Sequence, residues 1–231
     1  MSDLPKFDFH TRANVERYLS NGPPAFTPGH AGLLQMAGVL LAERTPDDGR
    51  VLVVGAGGGL ETRYLATASK TWRFVGIDPS AAMLDLARET AGPAAGDRLE
   101  LIQGVVADAP EGPFDAATCI LVMGLVPDDG GKLDLLREVR RRLKPGAPFI
   151  LVDQCLDPAA ADRDLRLDRY AAYARASGVD PATVAGARAM MEAGTTFVAP
   201  ERNEALLTEA GFETFELFYL AMAWRGWLAH A

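Results

Sequence analysis

The sequence predicts an α/β fold built on a mostly parallel sheet, and three observations carry that expectation. Residues 51–54 (VLVV) are four aliphatic positions in a row, followed at once by Gly55-Ala56-Gly57-Gly58-Gly59. An unbroken aliphatic run suits a parallel strand covered on both faces, and the glycines let the chain turn sharply and approach a ligand closely. A second strand-like run, 72–77, then ends in Asp78, at the distance where an acidic residue of a nucleotide-binding sheet hydrogen-bonds a pair of ribose hydroxyls. Beyond it, strand-like and helix-like segments keep alternating, as right-handed βαβ units require.

Taken in order, residues 10–20 read as helical, and 21–29 (NGPPAFTPG) read as a loop from their proline and glycine. Residues 30–44 form a helix with Leu33, Leu34, Ala37, Leu40 and Leu41 on one face. Strands are expected near 50–54, 72–77, 99–103, 115–121 and 148–153, with helices near 60–69, 81–90 and 130–143. After Asp153 the rhythm changes. Residues 159–177 and 181–193 read as two helices with no strand between them, then a helix at 200–210 and a strand hairpin over 212–229. The expectation is thus one domain over 1–231, with an N-terminal helical segment at 1–46. Its helical insert, at 157–197, is placed as a lid over the carboxyl ends of the strands.

Composition narrows the function. A chain of 231 residues fits a single α/β domain, and a net charge of −8 argues against a nucleic-acid partner. The basic cluster Arg137, Arg140, Arg141, Arg142 and Lys144 ends a helix, where cations complement its dipole, and reads as a solvated terminus. No stretch is apolar enough to span a bilayer, and the first residues lack the apolar centre of a signal peptide. Cys119 and Cys155 fall on or beside buried strands and read as reduced thiols, so a cytoplasmic protein is expected. His10 and His230 carry no signal, and no spacing of His, Cys and carboxylates suggests a metal.

The glycine loop decides between cofactors. A dinucleotide fingerprint would need glycine at position 60, which is leucine, and Glu61 follows where a pyrophosphate would meet a negative charge. The run Gly55-x-Gly57-x-Gly59, joined to Gly76-Ile77-Asp78-Pro79-Ser80-Ala81-Ala82-Met83, resembles the first motif and following acidic loop of class I S-adenosylmethionine (SAM)-dependent methyltransferases. That resemblance implies a Rossmann-like sheet of seven strands with a C-terminal antiparallel hairpin. It also implies SAM, or S-adenosylhomocysteine as product, held by Gly55, Ala56, Gly57, Gly59, Asp78, Pro79, Met83, Val106 and Asp108. Asp108 is read either as a partner of the adenine amino group or as a turn residue before Pro110.

Within that class the chain is similar to the carboxy-SAM synthase family. The segments that carry the likeness are Phe26-Thr27-Pro28-Gly29-His30, Tyr173-Ala174-Arg175-Ala176-Ser177-Gly178, Arg188-Ala189-Met190-Met191-Glu192 and Met222-Ala223-Trp224-Arg225-Gly226-Trp227. Members of that family convert SAM and prephenate into a carboxylated sulfonium, and the resemblance aligns Arg188 with the arginine that holds the added carboxylate. Departures point elsewhere. Val53 and Val105 stand where acids are usual, and Ile120 to Leu125 is apolar where the synthases are polar. Ordinary methyl transfer to a small molecule is therefore the first expectation, carboxy-SAM synthesis the second, and a non-catalytic SAM-binding protein the third. Tyr18, His30, Gln154, Arg188 and Trp224 are the substrate-side candidates; His30 also reads as a simple helix-start residue. The resemblance, with apolar Leu165, Leu167, Tyr170, Tyr173, Met190 and Met191 in the insert, suggests a homodimer.

Overall fold

Val51 and Val53 turn to one face of their strand and Leu52 and Val54 to the other, and all four are buried. This is the period-two geometry of a strand with a helical layer on each side. The computed structural model describes residues 9, 11–193 and 195–231. The expectations placed on the first residues and on His10 lie outside these.

The chain begins with α1 (Arg12–Asn21), α2 (Pro23–Phe26) and α3 (His30–Ala42), then enters β1 (Arg50–Val54), α4 (Leu60–Ala68), β2 (Arg73–Asp78), α5 (Ala81–Ala95) and β3 (Leu99–Gln103). It continues through β4 (Ala116–Ile120), α6 (Gly131–Arg142) and β5 (Pro148–Gln154). The insert helices α7 (Arg163–Ala176) and α8 (Pro181–Ala193) follow, then α9 (Pro200–Glu209), β6 (Thr214–Ala221) and β7 (Trp224–His230). The seven strands lie in the order β3-β2-β1-β4-β5-β7-β6, with β1 to β5 parallel and β7 antiparallel to both its neighbours. The sheet is the one expected from sequence, and its order reverses between β1 and β4, where such sheets place their ligands.

One core joins Leu33 and Leu41 of α3, Leu65 of α4 and Leu84 of α5 to Val51 and Val53. On the opposite face Leu136 and Val139 of α6 and Leu206 and Leu207 of α9 meet Leu52, Val54 and Trp227. Small clusters attach the peripheral helices. Val15 of α1 packs on Met83 and Leu86 of α5, and Phe26 of α2 packs with Ala171 and Ala174 of α7 and Val184 of α8.

Three details depart from the sequence expectation. The segment 21–29 contains the short helix α2, because Pro23 fixes a helical φ at a first-turn position where its missing N–H is no loss. Helix α5 runs to Ala95, with Pro93 tolerated in its last turns. Arg142 is not a solvated helix end: it is fully buried and donates to the carbonyls of Ala107 at 2.8 Å and Ala109 at 3.2 Å, and to the Glu138 carboxylate. It thereby ties the crossover between β3 and β4, which carries Val106, to the end of α6. Its neighbours follow the expected pattern, with Lys144 pairing with Asp115 at 2.5 Å and Arg141 pairing with Glu138 and Glu111.

Candidate active site

From Val54 the chain turns through Gly55 (φ 67°), Gly57 (φ 50°) and Gly59 (φ 83°) into α4. All three are left-handed values that favour glycine, but their surroundings differ. A Cβ on Gly55 would run into the Val122 side chain, and one on Gly59 would meet the Ala87 Cα at 2.8 Å, where α4 presses on α5. A Cβ on Gly57 would meet only the Gly55 carbonyl oxygen, at 3.7 Å. Gly57 is thus free of packing duty and lines a groove of about 900 Å³ at the carboxyl ends of β1, β2 and β4.

Asp78 closes the same groove from the end of β2. Its Oδ2 accepts the Gly57 N–H at 2.9 Å and its Oδ1 accepts the Ser80 N–H at 2.9 Å. Each oxygen keeps a further lone pair, as a ribose diol requires. Burial raises the carboxyl above its ordinary range, and the two amides offset part of that rise. Ser80 in turn caps α5 by accepting the Met83 N–H at 3.1 Å.

Of the cofactor candidates, Gly55, Gly57, Asp78, Pro79, Met83 and Val106 come together in the groove wall. Ala56 and Gly59 stand behind it: the Ala56 N–H donates to the Ile77 carbonyl at 2.9 Å, and Gly59 packs on α5. Asp108 is not brought to the groove. It is exposed, and its Oδ2 accepts the Val105 N–H at 2.9 Å, closing the 3-10 turn Val106–Asp108. The turn reading of Asp108 is the one this geometry matches.

A second cavity, of about 590 Å³, adjoins the first under the insert. Its wall is largely apolar and aromatic: Phe26, Leu121, Tyr170, Met190, Met191, Phe197 and Trp224. Phe9, Tyr18, Leu121, Leu125 and Thr195 line both cavities and form the partition between them. Leu121 holds a left-handed φ of 64° there while its N–H donates to the Val152 carbonyl at 2.8 Å. Such strain in a branched residue marks a position fixed by its surroundings. The strap 195–198 roofs the junction. The Thr196 N–H donates to the Gly124 carbonyl at 2.8 Å, its hydroxyl to the Val126 carbonyl, and the Leu156 N–H to the Val198 carbonyl at 3.1 Å. The Phe197 ring occupies the space a side chain at Gly124 would need.

The substrate-side candidates divide. Tyr18 lines both cavities, its phenol pushed up to about 12 by burial and by the charge of Asp78, and Trp224 lines the inner pocket. His30 is the first residue of α3 and lines neither cavity, its imidazole pKa lowered by burial. Gln154 is buried at the end of β5 without lining either cavity. Arg188 also lies outside both; its guanidinium bonds Asp168 of α7 at 3.1 Å and Glu192 of α8. Four of the six apolar insert residues turn inward: Leu167 is buried, and Tyr170, Met190 and Met191 line the pocket of their own chain, leaving Leu165 half exposed and Tyr173 partly buried outside both cavities.

Two polar residues of the inner pocket escaped sequence reading. Asp153 is 1% exposed; its Oδ1 accepts the Gly124 N–H at 3.3 Å, while Oδ2 is buried with no partner among the described residues. Burial pushes this carboxyl up to about 7, against the pull of the Lys132 ammonium and the amides of Gln154 and Gly124. Lys132 is itself buried and donates to the Met123 carbonyl. Thr27 is also 1% exposed with an unpartnered hydroxyl. An acid inside the run PFILVDQ was the available signal for Asp153; Thr27 offered none. Elsewhere, Glu61 is pushed up to about 7 by burial, the nearby Thr118 hydroxyl offsetting part of the rise. Thr118 is the register partner of Val53, so this carboxyl lies beside the strand position where an acid is usual. Cys119 and Cys155 are buried free thiols, both raised by burial. Among the described residues no three His, Cys, Asp or Glu side chains cluster as a metal site, and no helix is long and apolar enough to cross a membrane.

The sheet order, the glycine loop and the acid at the end of β2 give the chain the fold and the cofactor-side layout of the class I SAM-dependent methyltransferases. The family model described as "Methyltransferase domain" matches residues 51–146. Over its wider length the chain is similar to carboxy-S-adenosyl-L-methionine synthases. It is 26% identical to that of Pseudomonas putida (strain GB-1) over 92% of this chain and 87% of that protein, and 28% identical to that of Wolinella succinogenes over 83% and 80%. Among solved structures it is similar in fold to a putative O-methyltransferase from Nostoc punctiforme (TM-score 0.68, 20% identity, 94% of this chain and 60% of that one). A second is human N-acetylserotonin methyltransferase in complex with SAM (TM-score 0.59, 14% identity, 95% and 56%). The chain therefore spans less than two thirds of either of those two structures.

Proposed function

We propose that the protein transfers the methyl group of SAM to a small, largely apolar acceptor held in the inner pocket. The observation that carries this reading is the pairing of two adjoining cavities across a thin partition of Phe9, Tyr18, Leu121, Leu125 and Thr195. The groove residues fit the cofactor, because Gly57 keeps side-chain volume out of the groove and Asp78 offers lone pairs for a diol. Bound SAM supplies a methyl group already activated by its positive sulfur. Positioning and exclusion of water by the chain are then the main contributions needed. Phe26, Tyr170, Phe197 and Trp224 provide the flat apolar walls, and the strap 195–198 closes the pocket from above.

Carboxy-SAM synthesis is the second reading, favoured by the likeness to those synthases along most of the chain. Against it stands Arg188, committed to Asp168 and Glu192 outside both cavities. A non-catalytic SAM-binding role is disfavoured by the open inner pocket, since Met123 lies in the core and Trp224 forms a wall without plugging it. Mass spectrometry of the co-purifying ligand tests the choice. SAM or its demethylated product is expected, with cofactor affinity unchanged in Arg188→Ala; a ligand heavier by one carboxylate, lost in that variant, would reverse it. We further infer action in the cytoplasm as a homodimer with Leu165 in the interface; a monomer mass by light scattering at micromolar concentration would refute the dimer.

A further inference from the structure

We infer that Asp153 is the proton acceptor of the inner pocket, and that the acceptor molecule is a neutral aromatic compound presenting a hydroxyl to it. This inference rests on the methyl-transfer reading and names the substrate class of that site.

The inner pocket is apolar over most of its wall, yet two of its residues carry buried polar atoms with nothing to bond. Asp153 Oδ2 and Thr27 Oγ1 both lack a partner among the described residues, and both residues are 1% exposed. Buried polar groups are otherwise hydrogen-bonded in nearly all cases, because leaving one unmade carries the full desolvation penalty. Two orphans in the wall of one cavity point to a guest that completes them. The fold also sets Asp153 beside the partition. Val152, its chain neighbour, accepts the Leu121 N–H at 2.8 Å, and the Gly124 N–H holds Asp153 Oδ1 at 3.3 Å. Leu121 belongs to both cavities, so the carboxylate stands next to the wall across which the methyl group must pass.

The guest's chemistry follows from the wall. Aromatic faces from Phe26, Tyr170, Phe197 and Trp224 suit a planar ring. A carboxylate takes a hydrogen bond only from a donor, so the guest must present one to Asp153, while the Thr27 hydroxyl in the same wall can donate or accept. In the transfer step a lone pair of the acceptor oxygen forms the new carbon–oxygen bond. The methyl–sulfur bond breaks with its electron pair staying on sulfur, which becomes neutral. The hydroxyl proton passes to the Asp153 carboxylate, and from there to solvent when the product leaves. A carboxyl raised to about 7 is matched to that duty, being ionised above that pH and basic enough to take the proton. The groups that face it are Lys132 from α6, Cys119 from β4 and Cys155 just beyond the end of β5, with Arg225 opposite in register on β7. Across the pocket stand Arg17, Tyr18 and Tyr170. Lys132 is the charged group that draws the carboxyl downward; burial outweighs it.

The test uses 2-naphthol and its methyl ether, 2-methoxynaphthalene, titrated calorimetrically into wild type and Asp153→Asn, each saturated with S-adenosylhomocysteine. Wild type should prefer the naphthol by about tenfold or more above pH ~7, the preference fading below it as the carboxyl gains its own proton. Asp153→Asn should show the faded preference at every pH while binding S-adenosylhomocysteine as wild type does. Equal affinity for the two probes in wild type, failure of both to bind, or an unchanged pH-dependent preference in Asp153→Asn would overturn the inference. If the variant does not fold, the pH dependence of the wild-type preference decides by its presence or absence. Wild type that takes up no SAM would refute methyl transfer itself, whereas normal SAM uptake with no hydroxyl preference refutes only the role of Asp153.

Discussion

Asp78 and Gly57 are joined by a 2.9 Å hydrogen bond from the Gly57 amide to the Asp78 carboxylate, across 21 residues of sequence. The bond fastens the end of β2 to the glycine loop after β1, so the two halves of the proposed cofactor site are tied directly to each other.

Removing that carboxylate should therefore act twice, by deleting an acceptor for the ribose and by loosening the loop. Asp78→Ala is expected to weaken SAM binding by about 1.5–3 kcal/mol, the range for hydrogen bonds to charged groups. Calorimetry reads this directly, and an unaltered dissociation constant would exclude Asp78 from the site.

The loop glycines should separate by what surrounds them. Gly57→Ala places its methyl group in ordinary contact with the Gly55 carbonyl oxygen and bears only the left-handed backbone, about 1–2 kcal/mol. Gly59→Ala bears the same strain and also drives a Cβ into the Ala87 backbone, adding about 1–3 kcal/mol of overpacking. Urea unfolding should rank Gly59→Ala clearly below Gly57→Ala; the reverse order would contradict the packing of α4 on α5.

Glu61 predicts a pH effect with a definite sign. Its folded carboxyl is raised from 4.5 to about 7 by burial, so between those values the folded state binds more protons than the unfolded state. Its contribution to stability therefore falls as the pH rises from 4.5 toward 7. Glu61→Gln removes this term. The stability difference between variant and wild type should move in the variant's favour across that window, and a pH-independent difference would disprove the shift.

At Gly124 a single methyl group should report on the strap. Gly124→Ala puts a Cβ into the Phe197 ring and forces the roof of the inner pocket to move. Binding of 2-naphthol should weaken by about fivefold or more, the equivalent of about 1 kcal/mol of overpacking, with SAM affinity less affected. Equal losses for both ligands would mean that residue 124 serves the two cavities alike.

Much of this molecule could be read from its sequence because the informative residues are contiguous. The strand, loop and helix around Gly55 to Gly59 and the strand ending in Asp78 declare themselves through local pattern, and six of the nine cofactor candidates meet in one groove. What stayed hidden depends on which way a side chain faces. Arg188 is correctly placed on an insert helix, but its fork turns to Asp168 and Glu192, a choice no periodicity records. Asp108 precedes a proline as a turn residue does, and the short range of its bond to Val105 explains why the turn reading fits. Arg142 reads as a helix-end cation, since burial under the carbonyls of Ala107 and Ala109 is a tertiary event. Asp153, not its neighbour Gln154, lines the inner pocket, and alternation along a fully buried strand does not reveal which of the two side chains reaches a cavity.

The strap offers a last consequence. Thr195 lines both cavities, Thr196 the groove and Phe197 the inner pocket, so three successive residues of one backbone touch both guests. Any shift of this strap on filling one cavity would reach the wall of the other through a few ångströms of peptide. Thermodynamic linkage makes that communication reciprocal: the factor by which SAM alters the acceptor's dissociation constant is the factor by which the acceptor alters that of SAM. Should filling the pocket steady the strap, the methyl donor is held more firmly whenever there is something to methylate, and by that same factor.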